Sequence, residues 1–360
     1  MTTLQKITLS AALIFCLSAQ AQTPPSAKDI PMDTATKNAI IMNLNQEMQN
    51  KYVFPEIAEK VEKMLLKRQK NGDYEKITSA EAFASTLTEH LQSETRDKHL
   101  SVHYSYNEIP IRNSDSTQTQ ADTEQQAVDE LAFMKWVNFG VERVERLPGN
   151  VGYLELNGFG KTEIVGDAIS AAMTLLNASD ALIIDLRRNG GGDPNTVALL
   201  ASYFTPAETH LSDIYNRSEN KTQQFWSASH TSTPRYDKNK KVYVLTSKET
   251  FSAPEDFAYT LQSLKRSTTV GEVSGGGAHP VDGVRLHAHF IAAIPFGRSI
   301  NFITKTNWEG VGVIPEIKVD ADKALKTAHK LALKSRLDEE KHPEKRINLA
   351  NALKKLQSAN

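Results

Sequence analysis

Apolar residues recur at helical spacing in the first part of the chain. One series is Ile40, Leu44 and Met48, and similar series continue as far as Leu91, with Lys and Glu between them. Side chains three and four residues apart share one face of a helix, so this pattern predicts a small helical region. Residues 107–130 are rich in Asn, Ser, Asp, Thr and Gln and poor in apolar side chains, which predicts a polar loop or linker.

The period changes after this linker. Residues 151–156, 181–186 and 241–246 are short apolar runs with β-branched and aromatic residues, and helical stretches such as 164–176 and 195–203 separate them. Such alternation predicts an α/β core with a mostly parallel, buried sheet. Residues 285–302 predict paired strands that turn at Pro295–Gly297. From Ala321 onward, two charged amphipathic helices separated at His342–Pro343 end the chain.

The N-terminus has the order of a secretory signal peptide. Lys6 precedes an apolar run over residues 7–17, and Ala19-Gln-Ala21 supplies the small residues of a cleavage site. A buried helix would need polar residues at helical spacing within that run. We therefore expect cleavage after Ala21 and an exported protein, periplasmic or secreted. The predicted organisation is a signal peptide (1–21), a helical region (22–106), the linker (107–130), the core (131–320) and C-terminal helices (321–360).

Composition excludes several classes of function. The chain has 42 Lys plus Arg against 43 Asp plus Glu, so its net charge favours neither nucleic acid nor an acidic membrane surface. No run approaches the roughly 20 apolar residues of a permanent membrane anchor. The only cysteine, Cys16, lies in the signal segment, which excludes cysteine-protease chemistry and cysteine-based zinc sites. Zinc-protease histidine spacing is missing as well, so we expect no metal and no cofactor.

Two strand-to-helix turns could carry chemistry. The first contains Asn189 and the glycines of Gly190–Gly192, whose backbone N–H groups could bind an oxyanion or could simply form a tight turn. In the second, Ser252 precedes a predicted helix and Glu255 follows three residues later, the pattern of a capping box. A serine at a helix N-terminus can also be a nucleophile, with the N–H of Ala253 pointing toward the acyl oxygen.

A serine nucleophile needs a base. The candidates are His99, in the segment Arg96-Asp-Lys-His-Leu, together with His103 and His279. Glu309 lies in a glycine-containing turn that by itself predicts only a loop.

Taken in their order along the chain, four segments together resemble the tail-specific (C-terminal-processing) serine proteases. The relatives of these proteases include the tricorn core protease and the interphotoreceptor retinoid-binding protein. The resemblance rests on Asn189–Gly192, on Phe251-Ser-Ala-Pro-Glu-Asp-Phe-Ala, on residues 269–278 and on Gly312-Val-Ile-Pro-Glu-Ile. It covers roughly residues 99–319 and implies an α/β core similar to the crotonase and ClpP folds. It also implies that Ser252 is the nucleophile and that the oxyanion hole is built from Ala253 with Gly190 or Gly191.

One departure from the family pattern points to a branch. Many members have a catalytic lysine in a Gly-Lys-Gly turn, whereas this chain has Gly275-Gly-Gly-Ala-His279. The tricorn-like branch uses Ser, His and Glu instead, which implies His99 as the base and Glu309 as the residue that orients it. Lys98 stands where that branch has a polar neighbour of the histidine. Only about 40 residues separate His99 from the core strands, too few for the family's PDZ module.

The resemblance implies an exported serine peptidase that cleaves polypeptides through an acyl-enzyme. The alternative is a binding protein for a lipophilic, retinoid- or fatty-acid-like ligand, or for a peptide, that keeps the fold without catalysis.

Overall fold

The computed structural model describes residues 29–110 and 120–358, with side chains in the second range described from residue 124 onward. The predicted signal peptide lies outside the described residues. The helices are α1 (Thr34–Lys51), α2 (Pro55–Lys70), α3 (Ala80–Thr95), α4 (Gln120–Trp136), α5 (Thr162–Leu176), α6 (Pro194–Ala201), α7 (Ala253–Ser263), α8 (Ala321–Glu339) and α9 (Pro343–Ser358). The strands are β1 (Ser101–Tyr104), β2 (Val141–Leu147), β3 (Val151–Leu156), β4 (Ala181–Asp185), β5 (His210–Asn216), β6 (Lys221–Trp226), β7 (Lys241–Thr246), β8 (Thr268–Gly271), β9 (Val281–His287), β10 (Phe290–Pro295), β11 (Gly297–Asn301) and β12 (Ile317–Lys318). Within the described residues, no helix is both long and apolar enough to cross a bilayer.

The chain divides into two compact units. The first contains the described part of Met1–Asn113 together with Asn216–Lys221 and His279–Arg298, and the second contains the remainder. In the first unit, helices α1 to α3 share one apolar core with an antiparallel sheet of order β1-β10-β9. The Asp33 side chain caps α1 by accepting from the Thr36 N–H at 2.6 Å, and Ser79 caps α3 in the same way. Helix α3 ends at Arg96 in a left-handed conformation (φ 60°), which leads directly into the segment of His99.

The second unit is built on a six-stranded sheet of order β12-β8-β7-β4-β3-β2. Neighbouring strands from β12 to β3 are parallel, and only β2 is antiparallel to its neighbour. Every residue of β3 and β4 is buried, because helices cover both faces of a parallel sheet. Helices α8 and α9 contribute Ala324, Ala328, Leu333 and Leu349 to the core beside this sheet. The predicted α/β fold with N-terminal and C-terminal helices is confirmed.

Three local predictions differ from the structure. The second half of the predicted linker lies in α4, where residues 124–129 are exposed, so their polarity reflects a solvated helix rather than a loop. The paired strands β9 and β10 turn at Ala288–His289, because Pro295 ends β10 and Gly297 begins a strand of another sheet. The hairpin also pairs with β1, at Val102 opposite Ala292, and belongs to the first unit rather than to one continuous core over 131–320.

Candidate active site

Ser252 lies in the turn between β7 and α7, in a backbone conformation that few residues other than glycine adopt. Its φ is 69° and its ψ is −117°. The caps of α1 and α3 are ordinary by comparison, with φ −90° and ψ 166° at Asp33 and φ −97° and ψ 132° at Ser79. A residue held at positive φ costs about 1–3 kcal/mol and persists only where its surroundings fix it. Capping alone therefore does not account for the conformation of Ser252.

Three hydrogen bonds fix the turn on both sides of Ser252. The Phe251 N–H donates to the Asn189 carbonyl at 3.1 Å, which ties the turn to the glycine run. The Ser252 N–H donates to the Glu255 carboxylate at 2.8 Å. The Glu255 N–H in turn donates to the Ser252 carbonyl at 2.9 Å. The predicted pairing of Ser252 with Glu255 thus exists in a backbone geometry that the sequence did not reveal.

The glycine run packs directly against Ser252. A Cβ added at Gly191 would stand 3.4 Å from the Ser252 Cβ and 3.8 Å from its Oγ. Gly191 and Gly192 have φ values of 140° and 141°, and a Cβ at Gly192 would come within 1.9 Å of the Phe159 carbonyl oxygen. The Gly191 N–H donates to the Asn189 side-chain oxygen at 3.1 Å. Close approach therefore requires glycine at Gly192, whereas the positive φ favours it at Gly191. The N–H of Gly191 is engaged by Asn189 in this structure.

Glu255 connects Ser252 to the glycine-rich loop that follows β8. One carboxylate oxygen accepts from the Ser274 hydroxyl at 2.5 Å and from the Gly276 N–H at 2.7 Å. The other accepts from the Gly277 N–H at 2.9 Å as well as from Ser252. Burial raises the pKa of this carboxyl, although the hydrogen bonds oppose the shift. Sequence reasoning treated Glu255 only as a helix cap, and its position in the capping box was the one signal available.

Glu309 also binds backbone in the second unit. Its Oε2 accepts from the Ala278 N–H at 2.5 Å, and its own N–H donates to the Asn307 side-chain oxygen at 3.0 Å. The neighbouring Gly310 N–H donates to the Gly276 carbonyl at 3.0 Å. The turn of Glu309 is thus bonded to the loop that Glu255 holds, so Ser252, Glu255 and Glu309 belong to one connected network of hydrogen bonds.

His99 lies in the first unit, between α3 and β1. Its backbone N–H donates to one oxygen of Asp97 at 3.0 Å. His99 keeps some exposed surface, yet burial of its ring lowers its pKa to about 4, with Asp97 opposing and His279 adding to the shift. At neutral pH the imidazole is therefore uncharged, which is the form that can accept a proton.

Asp97, to which the sequence assigned no role, forms hydrogen bonds with His99 and with two other residues of the first unit. It is buried, and its second oxygen accepts from the Tyr52 hydroxyl at 3.2 Å and pairs with His279 Nδ1 at 2.7 Å. Two of the three candidate histidines therefore bond one carboxylate, His99 through its backbone N–H and His279 through its ring. The third, His103, bonds the Ser101 hydroxyl at 2.8 Å.

The structure thus gathers the sequence-predicted residues into two groups. Ser252, Ala253, Gly191 and Glu309 lie in the second unit, and His99 lies in the first with Asp97. The partnership of Ser252 with His99 stays a prediction.

Two family models match the chain in the order of its units. A model of peptidase family S41 matches residues 150–319. A model of the N-terminal domain of peptidase S41 in eukaryotic IRBP matches residues 25–140. The chain belongs to peptidase family S41. It is accordingly a serine-type peptidase, a hydrolase that acts on polypeptides.

Solved structures share the fold of this peptidase at low sequence identity. A candidate peptidase from Parabacteroides merdae is 17% identical with a TM-score of 0.57, over 85% of this chain and 99% of that one. A lipoprotein from Streptococcus agalactiae is 13% identical with a TM-score of 0.51, over 85% of this chain and 98% of that one. These likenesses concern the fold alone.

Proposed function

We propose that this peptidase is exported and cleaves peptide bonds through an acyl-enzyme formed on Ser252, with His99 as base and Glu309 as orienting residue. The observation that carries the proposal is the conformation of Ser252, held at φ 69° at the start of α7 and beside Gly191. A strained strand-to-helix turn exposes a nucleophile at the carboxyl end of a strand, and the helix N-terminus stabilises developing negative charge.

The proposed reaction transfers the acyl group twice. Ser252 Oγ attacks the carbonyl carbon while His99 takes the hydroxyl proton, and the C–N bond then breaks as His99 returns that proton to the leaving amine. Water then attacks the ester carbonyl while His99 accepts one of its protons. The C–Oγ bond breaks as His99 returns that proton to Ser252 Oγ, which releases the acid and restores the hydroxyl. At pH 7 the His99 imidazole is uncharged and can accept this proton, because burial lowers its pKa to about 4.

The proposed oxyanion hole consists of the Ala253 N–H and a glycine N–H of the run. Ala253 is the first residue of α7, where backbone N–H groups lack helical partners. Gly190 suits the second position better than Gly191, because the Gly191 N–H would first have to leave the Asn189 side chain. Gly191 instead keeps the space beside Ser252 clear of any side chain.

A fluorophosphonate probe followed by peptide mapping tests the nucleophile. We expect covalent labelling at Ser252, and loss of activity in Ser252→Ala by about a million-fold, the scale observed when a triad nucleophile is removed. A Ser252→Ala protein that still cleaves unfolded polypeptide at the wild-type rate would refute the proposal. An unlabelled protein that takes up a retinoid or fatty acid tightly would favour the binding-protein alternative.

Export is tested separately, by the mass of the mature protein, which shows at which residue it begins. The order of Lys6, an apolar run and Ala19-Gln-Ala21 supports cleavage before Gln22. A mature chain that begins at Met1 in the cytoplasm would contradict export without affecting the assignment of Ser252.

A further inference from the structure

Helices α1 and α2 enclose a groove in the first unit that the proposed catalytic residues do not use. Its volume is about 460 Å³, within the range of ligand sites. Asn38, Asn45 and Gln49 line it from α1 at positions i, i+7 and i+11, which lie on one helix face. Gln69 lines it from α2. We call this feature the amide groove.

Two side-chain hydrogen bonds join α1 and α2 along the amide groove. Gln69 donates to Asn38 at 2.6 Å, and Gln49 donates to Glu62 at 3.0 Å. Asn45 lies between these pairs and is only 7% exposed. Its side-chain oxygen is buried and has no hydrogen-bond partner among the described residues. A buried amide oxygen without a partner destabilises the protein, so a ligand that donates a hydrogen bond to it would recover the lost free energy.

The chemistry of the lining identifies the ligand class. Among the described residues that line the groove, Glu62 alone is ionisable, so these residues offer no cation to an anionic ligand. A side-chain amide offers one acceptor and two donors, which match the N–H and C=O of a peptide main chain. Met42 is 63% exposed on α1 and Leu66 is 49% exposed on α2, and they supply adaptable apolar contacts for unspecified side chains.

We propose that the amide groove is a second binding site for polypeptide substrates, in which an extended segment bonds its main chain to Asn45. Main-chain recognition gives affinity without demanding a particular sequence, as in strand addition to a sheet edge. The choice of a polypeptide as the ligand rests on the proposed function. A tethered substrate raises the effective concentration of its other segments at the catalytic centre, so the groove favours long, unfolded chains over short peptides.

Binding is measured on the full chain carrying Ser252→Ala, by fluorescence anisotropy with fluorescein-labelled unfolded casein. Asn45→Leu keeps the side-chain size and removes its hydrogen-bonding groups, and we expect about tenfold weaker binding, the loss for hydrogen bonds to one amide. Gln46→Ala, which truncates an exposed lining residue and leaves the core intact, should weaken binding in the same direction. The matched control is Asn50→Leu, an exposed position of α1 outside the groove, where we expect no change.

A second experiment measures catalysis by the same groove variants, with Ser252 intact. Asn45→Leu should raise KM for casein about tenfold and leave kcat/KM for a short chromogenic peptide ester unchanged. Unaltered casein affinity in Asn45→Leu, or an equal loss in Asn50→Leu, overturns the groove proposal. Failure to cleave the ester overturns the proposed function alone, since the binding measurement does not depend on Ser252.

Discussion

Asp256 places an uncompensated carboxyl group inside the second unit, one turn into α7. It is 7% exposed, and its hydrogen-bond partners are two uncharged hydroxyls, Thr260 at 3.1 Å and Ser212 at 3.3 Å. Burial raises the pKa of Asp256 from 3.8 to about 6. Ionisation of this group therefore destabilises the native state, in contrast to the usual behaviour of an acidic residue paired with a cation.

The sign and size of the effect follow from linkage. Between pH 3.8 and pH 6 the folded state binds more protons at this site than the unfolded state does, so stability falls as the pH rises and then levels off above pH 6. With a pKa of 3.8 in the unfolded state and about 6 in the folded state, the penalty is about 3 kcal/mol at pH 7 and shrinks to a small part of that value by pH 4. Asp256→Asn removes the charge, and its amide can accept from Thr260 and donate to Ser212. We therefore expect this substitution to stabilise the protein at neutral pH.

Urea unfolding from pH 4 to pH 8 measures this gain. The free energy of unfolding of Asp256→Asn should exceed that of the wild type by up to about 3 kcal/mol at pH 7, and the difference should shrink toward pH 4. Asp129→Asn, on the exposed surface of α4, is the control and should stay within about 0.5 kcal/mol at every pH. A difference that does not vary with pH, or a destabilised Asp256→Asn, would refute the argument from burial.

Two further predictions concern the candidate active site. Burial lowers the pKa of His99 to about 4. We therefore expect kcat/KM for a peptide ester to stay level from pH 7 to about pH 5 and to fall through about pH 4, as the base becomes protonated. A fall in kcat/KM centred near pH 6.5 would show that the base is another residue. Glu255→Gln replaces one accepting oxygen with a donor and breaks part of a four-donor network, so it should lower the free energy of unfolding by about 2 kcal/mol and slow ester cleavage. Glu163→Gln, exposed in α5, serves as its control in both assays, and equal behaviour of the two variants would argue against the network.

Local patterns in the sequence were enough to predict the class of fold and the places of the candidate residues. Helical spacing such as that of Ile40, Leu44 and Met48, and the apolar runs that became β3 and β4, depend only on neighbours along the chain. The order of the motifs pointed to the family and to Ser252.

Tertiary structure decided what depends on pairing between distant segments. The hairpin of β9 and β10 joins β1 across nearly two hundred residues, which no periodicity encodes. In the sequence, Asn45, Glu255 and Asp256 look like ordinary polar residues of helices. Packing shows that the buried Asn45 oxygen has no partner among the described residues and that the Glu255 carboxylate has four donors. It also shows that Asp256 is buried against uncharged hydroxyls. Burial and hydrogen bonding are properties of the surroundings that the fold assembles, and for that reason the chemistry of these residues could not be read from the sequence.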